Sequence, residues 1–218
     1  MKEKRLLWIG CILIAGFAIW TLLIQVVDVQ PLGANGTNIG FATINCWFHR
    51  LTGVHMVIYT ITDWLGIIPV FICVIFGGIG CIQLLKRRSL LKVDYDIIFL
   101  GAYYILVILG YSIFEMIPIN YRPVLIEGFM EASYPSSTTL LVLCVMLTLI
   151  EQVNRRSENE ISKKVIKALV ICFSVFMVFG RLVSGVHWLT DIIGSIMLSI
   201  GLFCIYKSAV LLCYKREN

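Results

Sequence analysis

The chain has 218 residues, 59% of them hydrophobic and 14% charged, with mean hydropathy +0.91 and a formal net charge of +5. An ordinary soluble domain is about 45–50% apolar and about 25% charged, so this composition excludes a water-soluble enzyme and points to lipid as the solvent. Seven of the eight cysteines (Cys11, Cys73, Cys81, Cys144, Cys172, Cys204, Cys213) lie within or at the ends of apolar runs and only Cys46 in a polar connection; with no CxxC and no Cys/His pairing at metal spacing, they read as buried small hydrophobes rather than disulfides or zinc ligands.

The first apolar run, 6–27, follows the basic start Met-Lys-Glu-Lys-Arg. It exceeds the ~7–15 residues of a signal-peptide core and suits a retained spanning helix. Further runs at 56–84, 96–117, 138–153, 165–181 and 188–213 bring the total to six. The fourth is the shortest and opens on Ser/Thr; Pro118 closes the third and Pro135 precedes the fourth. The expected fold is all-α, a bundle of six transmembrane helices.

The basic residues orient it. Lys2, Lys4 and Arg5, then Lys86, Arg87, Arg88 and Lys92, then Arg155, Arg156, Lys163, Lys164 and Lys167, and finally Lys207, Lys215 and Arg216 share one side, fifteen of the eighteen Lys and Arg. By the positive-inside rule that side is cytoplasmic and holds both termini; only Arg50, Arg122 and Arg181 remain for the other. The net charge thus reflects topology and anionic headgroups, and no nucleic-acid partner is implied.

In the long connection 28–55, Phe41, Ile44, Trp47, Phe48 and Leu51 recur at helical spacing, with Asn45, His49 and Arg50 elsewhere. This predicts a helix between spans one and two, lying in the outer headgroup layer or packed as a cap on the bundle. Trp47, Trp64 and Trp188 read as interface anchors. Asp63, in span two, reads as an acid near the outer interface with a helix-start or hydration role.

Three sequence-distant segments end at the outer face: Tyr121-Arg122-Pro123 after span three, Pro135-Ser136-Ser137-Thr138 before span four, and GRLVSGVHWLTD (180–191) between spans five and six. His187 and Asp191, four apart, share a helix face, where a carboxylate can hold one imidazole nitrogen and leave the other as nucleophile or base. An acid one turn inside a membrane helix is by default functional, although backbone amides at a helix start could satisfy it equally well. Arg122 and Arg181 suit phosphate oxygens; snorkelling to headgroups is their plainer use. Ser136 and Ser137 suit a helix cap, and a helix start of this kind also offers amides to an anion.

Arg122-Pro123, Pro135-Ser136 and Arg181-x5-His187-x3-Asp191 resemble the three motifs of the membrane-bound type 2 phosphatidic acid phosphatase (PAP2) superfamily, K-x6-R-P, P-S-G-H and S-R-x5-H-x3-D. The resemblance spans 115–191 directly, and the six-helix layout extends it to one integral membrane domain over 1–218. It implies a nucleophilic His187 oriented by Asp191, with Arg122, Arg181 and the amides near Ser136 and Ser137 binding phosphate and stabilising its transition-state charge. It implies no metal or other cofactor, and lipid phosphates or diphosphates as substrates, the polyprenyl carrier of cell-wall synthesis among them. The compact loops point to a bacterial cell membrane, with the site on its extracytoplasmic face.

Three positions depart from the family pattern. Glu115 stands at the lysine of the first motif, Gly180 at the serine of the third, and Thr138 at the histidine that protonates the leaving group. General acid help is worth ~10²–10⁴-fold, and threonine cannot supply it near neutral pH. An alkoxide leaving group needs that proton, whereas the phosphate leaving a lipid diphosphate needs little. The expected activity is therefore hydrolysis of a polyprenyl diphosphate or related lipid phosphate through a phosphohistidine. A lipid phosphotransferase and an impaired lipid-phosphate binder or transporter are the alternatives. Glu131, His49 and His55 are candidate substitute acids, and Glu115 could restrain Arg122 or repel phosphate.

Overall fold

The computed structural model describes residues 1–217; Asn218 lies outside them, as does the side chain of Arg216, counted above among the basic residues. Eight helices are described: α1 (Lys2–Val26), α2 (Ala42–Thr52), α3 (Met56–Leu65), α4 (Ile67–Arg87), α5 (Tyr95–Met116), α6 (Ser137–Arg156), α7 (Glu160–Val183) and α8 (Leu189–Glu217). With α3 and α4 as one crossing, six are long and apolar enough to span a membrane. The all-α, six-span architecture expected from the hydropathy is therefore found. Large apolar side chains such as Trp8, Val74, Leu85, Ile105 and Phe179 face outward, as lipid permits.

The second span is interrupted where the sequence read as continuous. Pro69 has no N–H to offer the Leu65 carbonyl, which breaks the helical ladder one turn back. The chain turns at Gly66, whose N–H bonds the carbonyls of Thr62 and Asp63. The fourth span, shortest in the sequence, is a full helix of 20 residues and the most enclosed of the six. Its modest hydropathy reflects that position, since it faces protein and carries buried Thr139, Thr148, Glu151 and Gln152.

At the end of the bundle that carries the chain termini, ion pairs tie the helices together. Arg156 reaches Asp96 at 2.8 Å and Asp94 at 3.4 Å, Arg87 reaches Asp94 at 2.8 Å, and Lys207 reaches Glu151 at 2.8 Å. At the opposite end, Tyr134 is buried with its ring stacked on Phe17 (5.9 Å between centroids) and edge-on to Phe114 (5.7 Å). Its hydroxyl lies 2.8 Å from Thr21 Oγ1. This anchor fixes the backbone just ahead of Pro135 and the start of α6.

Helix α2 is found between spans one and two and packs as a cap on the bundle. Its Ile44, Trp47 and Leu51 are exposed, while its other face holds the α7–α8 connection. There Asn45 Nδ2 donates to Thr190 Oγ1 at 3.0 Å, and His49 Nε2 lies 3.0 Å from the Gly185 carbonyl. The Asp28 carboxylate, not adjacent in sequence, accepts the Thr43 N–H at 2.7 Å at the start of α2.

Trp188 is no interface anchor. It is buried beneath α2 against Ile39 and Ala42, and its indole donates to the Tyr121 carbonyl at 2.8 Å; Trp47 and Trp64 are exposed as expected. The cysteines also divide: Cys144 and Cys204 are buried, but Cys11, Cys81 and Cys172 lie on the outer wall, where lipid solvates a thiol as readily as a core does.

Candidate active site

The three segments at the end of the bundle opposite the chain termini converge. Gly185 adopts φ +72°, and a Cβ there would stand 2.1 Å from the Gly53 carbonyl oxygen, so the turn between α7 and α8 requires glycine. That turn sets His187 inward with 3% exposure. Its Nδ1 lies 3.1 Å from the Ser133 carbonyl; a carbonyl only accepts, so Nδ1 carries the proton and Nε2 presents a lone pair. Nε2 is buried and has no partner. Burial, with Arg122 and Arg181 close by, holds the ring well below the ordinary histidine range, hence neutral.

Asp191 is fully buried, with its Oδ2 3.7 Å from His187 Nδ1 and 2.9 Å from the Trp188 N–H that it accepts. It therefore works first as a helix-start carboxylate, reaching back to the residue before α8, and acts on His187 through space rather than by a short hydrogen bond. Its Oδ1 is buried without a partner, as are Asn120 Nδ2 and Ser133 Oγ, and both those side chains stand beside the carboxylate.

Arg122 and Arg181 both lie against Tyr59, their guanidinium carbons 5.8 and 4.9 Å from its ring centroid. Each has one carboxylate. Arg122 pairs with Glu131 at 3.0 Å, and Arg181 with Asp63 at 3.3 Å. The remaining nitrogens Arg122 Nε and Nη1 and Arg181 Nε are buried and unpartnered. Such donors are costly to bury unless a ligand accepts from them.

Ser136 does not cap α6 with its side chain, which donates to Thr139 Oγ1 at 3.0 Å. Ser195 Oγ donates to the carbonyls of both Ser136 (3.0 Å) and Asp191 (2.8 Å), tying the starts of α6 and α8 together. Ser137 and Thr138 are half-buried on the first turn of α6. Thr138 Oγ1 accepts from Arg181 Nη2 at 2.7 Å.

Glu115 stays outside this cluster. It is exposed on the last turn of α5 beside Tyr111, and the carboxylate that pairs with Arg122 is Glu131. His49 and His55 are engaged by the carbonyls of Gly185 and Thr52, and Glu131 by Arg122, so none of the three candidate acids stands free. Asp63, read as an acid with a helix-start or hydration role, is paired with Arg181; the intramembrane acid itself was the available signal. Tyr59, Thr62, Asn120 and Ser133 left no signal in the sequence, because helix α3 and the 117–134 loop reach the site only through tertiary packing.

These features define a class: a multi-pass helical membrane protein with buried, partly unpartnered arginines around an imidazole whose Nε2 is free. The PAP2 superfamily model matches residues 97–214, and the chain belongs to the PAP2 superfamily, a family of membrane lipid phosphatases. The chain is similar in fold to a crystal structure of a transmembrane PAP2-type phosphatidylglycerolphosphate phosphatase from Bacillus subtilis. The TM-score is 0.63 at 15% identity, covering 95% of this chain and 96% of that one. No curated protein matches the chain in sequence.

Proposed function

We propose that the protein hydrolyses a lipid diphosphate of the polyprenyl type at the extracytoplasmic face, through a phosphohistidine on His187. The observation that carries this reading is the buried, unpartnered Nε2 of a neutral His187 beside unpartnered nitrogens of Arg122 and Arg181. Nε2 attacks the terminal phosphorus as the bond to the bridging oxygen breaks, and the lipid monophosphate departs with the electron pair. Arg122 and Arg181 hold the non-bridging oxygens and offset the charge that develops on them. The first amides of α6, near Ser136 and Ser137, add the positive end of a helix. Asp191, 3.7 Å from Nδ1, balances the positive charge that grows on the ring. The extracytoplasmic assignment follows from the basic residues clustered at the opposite end of the bundle.

The test is inorganic phosphate release from a polyprenyl diphosphate by detergent-purified protein, with His187→Ala as control. Release that disappears in the variant is the expected result. A wild-type preparation that is folded and releases no phosphate, or a variant that still releases it, overturns the proposal. Phosphorylated alcohol appearing in place of phosphate when an acceptor alcohol is added would instead identify a phosphotransferase.

A further inference from the structure

We propose that Asp63 is the general base for the second half of the reaction, accepting a proton from the water that cleaves the phosphohistidine; this rests on His187 being the nucleophile. Asp63 sits on the last turn of α3, just ahead of the break at Gly66. Its Oδ1 lies 3.3 Å from Arg181 Nη2, the nitrogen that also donates to Thr138 Oγ1 at 2.7 Å. One guanidinium nitrogen therefore brings the Asp63 carboxylate next to position 138, where the family pattern has its proton-transferring histidine.

The two members of this ion pair differ in access. The Arg181 side chain is 1% exposed and that of Asp63 55%. Asp63 opens with Ser137, Thr138 and Tyr111 onto a groove of about 450 Å³ that is otherwise lined by apolar residues including Val70, Ile108 and Leu141. It thus touches both the anion site and a space that water and a lipid chain can enter. The other acids nearby are placed differently: Glu131 is on Arg122, and Glu115 is beside Tyr111. Thr138 has no basic group to offer.

An ionised carboxylate can accept a proton but has none to donate. This suits a diphosphate substrate. In the first half the lipid monophosphate leaves as an anion and no proton need be supplied. In the second half the water oxygen bonds to phosphorus and the Nε2–P bond breaks, its electron pair returning to Nε2. One water proton passes to Asp63, the other leaves with the inorganic phosphate, and Asp63 releases its proton to solvent.

The experiment is a rapid quench of the full-length protein with a polyprenyl diphosphate labelled in the terminal phosphate, comparing wild type with Asp63→Asn. The proposal expects the variant to release one equivalent of lipid monophosphate in a burst and to accumulate acid-labile, base-stable phosphoprotein. Its steady-state phosphate release should fall by ~10²–10⁴-fold, the range for a lost general base. Added formate should restore part of the rate to Asp63→Ala. Loss of the burst and the steady state together, without phosphoprotein, would mean that Asp63 only positions Arg181 and would overturn the assignment. Turnover within a few-fold of wild type would overturn it as well. If the wild type releases phosphate but no phosphoprotein forms under any quench condition, the fault lies with the phosphohistidine, and Asp63 falls with it.

Discussion

Replacing Thr138 by histidine restores the family residue and tests the leaving-group argument directly. Two effects oppose each other. Thr138 Oγ1 accepts from Arg181 Nη2 at 2.7 Å, and a hydrogen bond to a charged group is worth about 1.5–3 kcal/mol. At 1.36 kcal/mol per tenfold, its loss lowers the rate by about 10- to 150-fold. On the proposed mechanism both substrate types bear that cost, because both use Arg181. The imidazole offers general acid help of ~10²–10⁴-fold, which an alkoxide leaving group uses and a phosphate leaving group does not. The half-buried position at the groove gives the larger ring room. Turnover of a lipid diphosphate should therefore fall, while turnover of the monophosphate with the same tail holds or rises. The ratio of the two should shift by ~10²–10⁴-fold towards the monophosphate. The assay is phosphate release from matched mono- and diphosphates in detergent, wild type against T138H. An unchanged ratio, or a gain on the diphosphate as large as that on the monophosphate, refutes the reasoning.

Further predictions concern His187 and Asp191. His187 is held below the ordinary histidine range by burial and by Arg122 and Arg181, so nitrogen-resolved NMR should find it neutral and protonated at Nδ1 at pH 6.5; an imidazolium at that pH would contradict the site electrostatics. The unfolded chain takes up this proton first, so the same shift removes stability as pH falls below the unfolded histidine value near 6.5. Asp191→Ala should lose activity and also about 0.5–2 kcal/mol of stability, since it deletes the acceptor of the Trp188 N–H at a helix start. Asp191→Asn keeps an acceptor oxygen and should lose activity with little loss of melting temperature; full activity in that variant would remove the carboxylate from the mechanism.

The spans and the convergence of three segments at one end of the bundle were legible because each rests on local pattern: run length, the end of each span at which Lys and Arg fall, and the i, i+4 spacing of His187 and Asp191. What could not be read depends on packing. Ser133 supplies the carbonyl that holds His187, and any residue type would supply the same group, so no side chain betrays it. Trp188 looked like an anchor because its position along the chain matches the membrane interface, yet α2 folds over it. Asp63 was visible as a costly intramembrane acid, but its partner Arg181 lies 118 residues away and no periodicity links the two.

Two of the three departures from the motif act together once α3 is considered. A Cβ at Gly180 would stand 2.7 Å from Thr62 Cγ2, so a serine there would push α3 off α7. Without it α3 packs close enough to bring Tyr59 and Asp63 onto Arg181, with Thr62 Oγ1 3.5 Å from Nη1. A buried guanidinium needs such partners, because an unpaired charge is expensive away from water. Thr138 completes the set by accepting from Nη2. Gly180 and Thr138 are therefore two sides of one arrangement in which α3 supplies the carboxylate next to position 138. Glu115, exposed on α5, belongs to neither side: the carboxylates paired with Arg122 and Arg181 are Glu131 and Asp63, and on the proposed mechanism the two arginines carry the phosphate charge without a third cation from position 115.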